Sequence, residues 1–165
     1  MPSTYEPIAT NTLGSASATI TFSSIPATYT DLRLVLVFTQ SVAGFGPRIS
    51  FNGDAGTNYS QIKLAGDGAS AVSSRVTNNN FLTPYQVTND TTIPTFVTCD
   101  VFSYAGSTNK TSLITCQQDQ NGAGAVSNFV GLWRSTAAIT SIGLALSSGN
   151  FNIGTIATLY GIKAA

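Results

Sequence analysis

Histidine is absent from this chain, and charge is scarce. Seven Lys and Arg balance seven Asp and Glu, 8% of 165 residues, for a formal net charge of zero; an ordinary globular protein is about 25% charged. Without histidine, neither an imidazole acid–base site nor a His-ligated metal can form. Seven scattered cations make no stripe able to displace counterions, so no nucleic-acid partner is expected. Long apolar runs are missing too. The longest, Leu34 to Phe38, is far below the roughly 20 residues of a membrane helix, so no membrane partner is expected either. The opening Met-Pro-Ser-Thr-Tyr-Glu-Pro has no cationic start and no apolar centre, and does not read as a secretory signal.

The place of the missing charges is taken by uncharged polar residues: 60 of the 165 are Ser, Thr, Asn or Gln. Hydrophobic residues still make up 42% and aromatics 10%, enough to oppose disorder. The length predicts one domain over 1–165, which on folding hides about 70% of the surface of its unfolded chain.

Alternation with a period of two runs through the chain, and helical periodicity is nearly absent. Ala16, Ala18, Ile20 and Phe22 alternate with Ser and Thr from Ser15 to Ser23, a strand with one dry and one hydroxyl face. Asp31 to Thr39 is apolar on both phases, which predicts a central strand covered on both faces along part of its length. Further strands are expected at Arg48–Asn52, Tyr59–Ala65, Phe96–Tyr104, Lys110–Gln118, Val126–Arg134, Ala138–Leu146 and Thr155–Ile162. About eight or nine strands with regular turn signals indicate an all-β antiparallel sandwich, with a jelly roll the expected winding. Ile20, Phe22, Leu34, Leu36, Phe102, Leu144 and Tyr160 are expected in its core. Phe96–Tyr104 and Lys110–Gln118 read as a hairpin. Matching like with like favours the register that opposes Val101 to Ile114, Cys99 to Cys116 and Phe102 to Leu113.

The stretch from Ala69 to Thr95 is the least regular. It holds Asn78, Asn79, Asn80, Pro84 and Pro94 and reads as a long loop with one edge strand near Phe81 to Val87. Residues 1–10, with Pro2 and Pro7, read as an extended N-terminal arm. Arm and loop together are the expected contact surface, with Tyr5, Pro7, Asn79, Phe81 and Tyr85 as its partner-binding residues. One aromatic anchor such as Tyr5 or Tyr85 can supply ~2 kcal/mol.

No catalytic pattern emerges, and neither a metal nor another cofactor is expected. Asn52-Gly-Asp-Ala-Gly-Thr-Asn58 spaces its oxygens like the start of a calcium loop, but Lys63 stands where the bidentate Glu belongs, so the segment reads as a hairpin turn. Several of the seven acids sit at turns, where Asp bonds the backbone; a glycosidase needs two that converge. Cys99 and Cys116 are read as free core thiols, a strained cross-strand disulfide being the alternative. Trp133 is read as core and Tyr85 as either contact or local packing. The three Asn-X-Ser/Thr sequons at Asn58, Asn89 and Asn109 are what chance gives in so Asn- and Thr-rich a chain.

Five segments carry a resemblance. They are Met1-Pro-Ser-Thr-Tyr-Glu-Pro-Ile-Ala9 with the hydroxyl-rich strand after it, Tyr29-Thr-Asp-Leu-Arg-Leu34, Arg48-Ile-Ser-Phe-Asn-Gly-Asp54, Gly131-Leu-Trp-Arg-Ser-Thr-Ala-Ala-Ile139 and Ala157-Thr-Leu-Tyr-Gly-Ile-Lys163. Together they resemble a family of small β-rich virion proteins of tailed bacteriophages, over most of the chain and least between Ala69 and Thr95. The resemblance implies a non-enzymatic structural protein of the phage particle, made in the bacterial cytoplasm: a capsid decoration (cement) protein, or alternatively a tail-fibre or adaptor module that binds a host receptor or glycan. It also implies partners, namely copies of the chain itself as a homotrimer, and the major capsid protein or other virion proteins.

Overall fold

The computed structural model describes residues 4–44, 46–84 and 90–163. They form eleven strands and no helix, so no helix among them is long and apolar enough to cross a membrane. The strands are β1 (Tyr5–Thr12), β2 (Thr19–Phe22), β3 (Asp31–Phe38), β4 (Pro47–Phe51), β5 (Tyr59–Gly66), β6 (Ala71–Asn79), β7 (Thr95–Phe102), β8 (Lys110–Gln118), β9 (Ala125–Trp133), β10 (Ile142–Leu146) and β11 (Ile156–Ile162).

All pairings are antiparallel. Eight strands make one sheet in the order β1-β11-β3-β7-β8-β9-β5-β6, and three make a second in the order β2-β10-β4. This is the all-β sandwich that the alternation implies. The division into eight and three does not by itself give the winding of an eight-stranded jelly roll. The core lies between the sheets. Leu32, Leu34, Leu36 and Phe38 of β3, Val97, Cys99 and Val101 of β7, and Ile114 and Cys116 of β8 face Ile20, Phe22, Ile49, Phe51, Ile142 and Leu144 of the small sheet. At one end Phe51, Tyr59 and Trp133 form an aromatic cluster with centroids 5.6 to 6.3 Å apart, which fastens β4 of the small sheet to β5 and β9 of the large one.

Several expectations are corrected here. Ala69–Thr95 is not one irregular loop, because β6 fills Ala71–Asn79 as an edge strand; of the edge strand expected near Phe81 to Val87, the described residues 81–84 hold only the Leu82 bridge to Ile49, and 85–87 lie outside the described residues. β6 shows no apolar alternation because neither of its faces is buried; pairing with β5 makes it a strand. Of the residues 1–10 expected as an extended N-terminal arm, those from Tyr5 onward belong to β1 and pair with β11. β3 is central, yet only its even-numbered face is buried, since among the described residues no second layer covers the outside. Phe102 is 44% exposed and Tyr160 half-buried, both on that outer side, while Val101 and Leu159 take the inner positions. Ile20, Phe22, Leu34, Leu36 and Leu144 are buried as expected.

The β7–β8 register is also different. Cys99 opposes Ile114 and Val97 opposes Cys116, two residues from the expected pairing. The inward phase is the same, so burial alone does not separate the two registers. The connection decides. Ser103 accepts from Gly106 N to make a tight turn, and the buried Lys110 ammonium donates to the Gly106 and Thr108 carbonyls. This shortens the connection by two residues, so that β8 starts pairing two residues earlier than expected, with Thr111 opposite Phe102. The cysteines are therefore diagonal neighbours and both are free buried thiols.

Candidate contact surface

The outward side chains of the large sheet form rows that follow directly from its registers. One row runs Thr10, Thr158, Val35, Thr98, Thr115, Asn128, Leu64. Its hydroxyls bond one another across the strands, Thr98 to Thr115 at 2.7 Å and Thr10 to Thr158 at 3.1 Å. A second row runs Thr12, Ile156, Val37, Phe96, Gln117, Val126. A third runs Pro7, Tyr160, Arg33, Asp100, Leu113, Val130, Ile62, Arg75. Leu64 (59% exposed), Val130 (52%), Ile62, Leu113, Val126 and Phe96 all stand open to solvent on this side.

Charge on this face is sparse and mostly neutralised. Arg33 and Asp100 form a bidentate pair, Nε to Oδ1 at 2.6 Å and Nη2 to Oδ2 at 2.8 Å, under the ring of Tyr5, whose centroid is 5.6 Å from the guanidinium carbon. The Asp31 carboxylate at the margin accepts from Ser103 N at 2.7 Å.

No family model, curated protein or solved structure matches this chain.

The expected contact residues do not converge. Tyr5 and Pro7 are exposed on β1, at one end of the large sheet, and Asn79 is on β6, at the other. Seven strand spacings of about 4.8 Å, roughly 34 Å along the sheet, separate them. Asn79 Nδ2 donates to Phe81 O at 2.9 Å, and the Phe81 ring lies 4.2 Å below the Arg48 guanidinium, so both are committed to shaping the segment that crosses to β4. Tyr85 and Pro2 lie outside the described residues. What the sequence analysis missed is the apolar outer face. Its signal was present in the second apolar phase of β3 and in Ile62, Leu64, Leu113 and Val130. That signal reads as double burial unless the number of covering strands is known.

The seven carboxylates are all engaged in local structure. Glu6 takes Lys163 Nζ at 2.8 Å and the Tyr29 hydroxyl, Asp67 caps Ala69 and Ser70 N–H, Asp90 caps Thr92 and Ile93, and Asp119 accepts from Gly122 N. Asp54 accepts from Trp133 Nε1 at 2.7 Å, Asn58 Nδ2 at 2.9 Å and Gly56 N at 2.8 Å. These bonds, that from Trp133 foremost, hold its carboxyl below the usual range. The Asn52–Asn58 segment is thus a pinned turn. Asn52 and Gly53 both take positive φ in the tight turn closed by Asp54 N to Phe51 O, and the Asn52 amide ties it to Ala138, Thr140 and Ser141. It is not a hairpin, because β4 and β5 belong to different sheets. Among the described residues no three His, Cys, Asp or Glu are grouped to hold a metal.

Proposed function

We propose that this chain is a non-enzymatic structural subunit of a bacteriophage particle, a decoration protein of the head that meets the major capsid protein and further copies of itself. The observation that carries this reading is the outer face of the large sheet: branched apolar and hydroxyl side chains in rows, with its central ion pair already formed. Seating such a face on a protein shell strips water from few ions, and the desolvation of unpaired charge is what most penalises a dry contact. A chain with zero net charge also lets many copies crowd without mutual repulsion, and many weak attachments add through avidity. The engagement of every carboxylate in a turn or a pair favours a scaffold over an acid–base enzyme.

The test is copy number. In purified particles the ratio of this band to the major capsid protein is expected to correspond to a stoichiometric shell component. A handful of copies would place the chain at the tail, and absence from particles would overturn the reading. Leu64→Asp combined with Val130→Asp, two exposed positions, is expected to leave the sandwich folded. It should weaken attachment by about thirtyfold, as loss of a contact anchor of ~2 kcal/mol requires.

A further inference from the structure

A strand at the end of a sheet presents unpaired N–H and C=O groups, and proteins blunt such edges with proline, charge, bulges or covering segments. The large sheet ends in β1 and β6. β1 is blunted: it contains Pro7, and its register with β11 shifts between Pro7 and Ala9. In the small sheet β2 has only four residues, and β4 is capped where Ile49 and Leu82 exchange backbone bonds of 2.8 and 3.0 Å. β6 lacks these devices over Ala71–Val76. That stretch has no proline or glycine and one charge, Arg75. Its pairing with β5 is unbroken from Ala71↔Gly66 to Val76↔Gln61. Eight of the nine β6 residues are exposed, and among the described residues no strand pairs with its free side.

The pattern of β6 selects its occupant. Open ladder groups take another extended strand. Val72 (48% exposed) and Val76 (41%) lie on the same side of the strand, with Ser74 midway between them. We propose that β6 pairs antiparallel with β6 of a second copy, about a two-fold axis through Ser74, so that two eight-stranded sheets become one. This register sets Val72 against Val76 of the second copy, and Val76 against its Val72, two apolar cross-strand pairs. Ser74 meets Ser74, and Arg75 meets Ser73. Moving the axis to Arg75 opposes the two guanidinium groups, and moving it to Ser73 sets valines against serines. An axis between residues puts the inner face of one sheet beside the outer face of the other. The contact is isologous and closes as a dimer, a different order from the trimer that the resemblance implies. It rests on the edge alone, whether or not the chain belongs to a particle.

Sedimentation of the recombinant full-length chain over a concentration series is expected to reach twice 17.1 kDa. Val72→Lys with Val76→Lys, both on an uncovered strand, is expected to keep the β dichroism spectrum and raise the dimer dissociation constant about tenfold or more. A residue on a two-fold axis meets itself, so Ser74→Cys is expected to crosslink two chains on oxidation while Ala71→Cys does not; the buried Cys99 and Cys116 do not compete. A monomer at every concentration, a trimeric mass, a dimer indifferent to the lysines, or equal crosslinking at positions 74 and 71 overturns the proposal.

Discussion

Single polar residues hold the connections of this sandwich. Asp54 is the clearest, because the indole N–H it accepts belongs to Trp133, which is 2% exposed. Removing the acceptor strands a buried donor, so Asp54→Ala is expected to lower the free energy of unfolding by about 1–3 kcal/mol, read from urea midpoints. Asp54→Asn, which keeps an acceptor oxygen, should lose less; equal losses would show that the indole bond contributes nothing. The cysteines make a contrasting case. Burial pushes both thiols up to about 12, which leaves almost no thiolate at neutral pH. In native buffer neither is expected to react with a thiol reagent, and both should react once the chain is unfolded in denaturant. Rapid labelling of the native protein would contradict the burial of these positions.

Elements in this fold owe their existence to different causes. β3 and β7 are written in the sequence by alternating Leu, Val and Cys, and the burial of one phase makes them strands. β6 has no such writing; the hydrogen bonds of β5 order a run of Ser, Thr and Asn. β11 shows how a packing partner fixes phase. Gly161 faces inward beneath the ring of Tyr29, and a methyl group there would lie 2.3 Å from a ring carbon. The same ring hydroxyl reaches Glu6 on β1, so one aromatic closes the strand pair at that end. Gly161→Ala is expected to cost about 1–3 kcal/mol through overpacking. In a thermal-unfolding cycle with Tyr29→Ala the two losses should be strongly non-additive; simple addition would mean that ring and glycine do not interact.

At the scale of the whole molecule, few groups titrate. With no histidine, no side chain of ordinary pKa changes charge between about pH 5 and 8. The folded carboxyls of Glu6, Asp54, Asp67 and Asp90 are all held low by the donors they accept. Lowered folded values mean that the unfolded chain binds more protons in acid. The associated stability is complete above the unfolded carboxyl values of about 4 and is lost as pH falls through the lowered folded ones. Melting temperature is therefore expected to be flat from about pH 5 to 8 and to drop below about pH 4. A step inside the neutral range would mean that another group controls the fold.

The sequence by itself determined the class of the molecule and most of its strands, because a period of two in hydrophobicity has one physical meaning when one face must be dry. It also determined which chemistries are excluded, since those depend on residue types that are missing. Only the tertiary structure decided the rest. The large sheet has eight strands against three, so the second apolar phase of β3, which reads in the sequence as covered, lies on an outer face that also bears the exposed Leu64 and Val130. The turn geometry around Lys110, invisible to hydrophobic pattern, moved the β7–β8 pairing by two residues. Tyr5 and Asn79, members of the two segments expected to form one surface, end at opposite edges, because strand order is set by long-range pairing that no local pattern records.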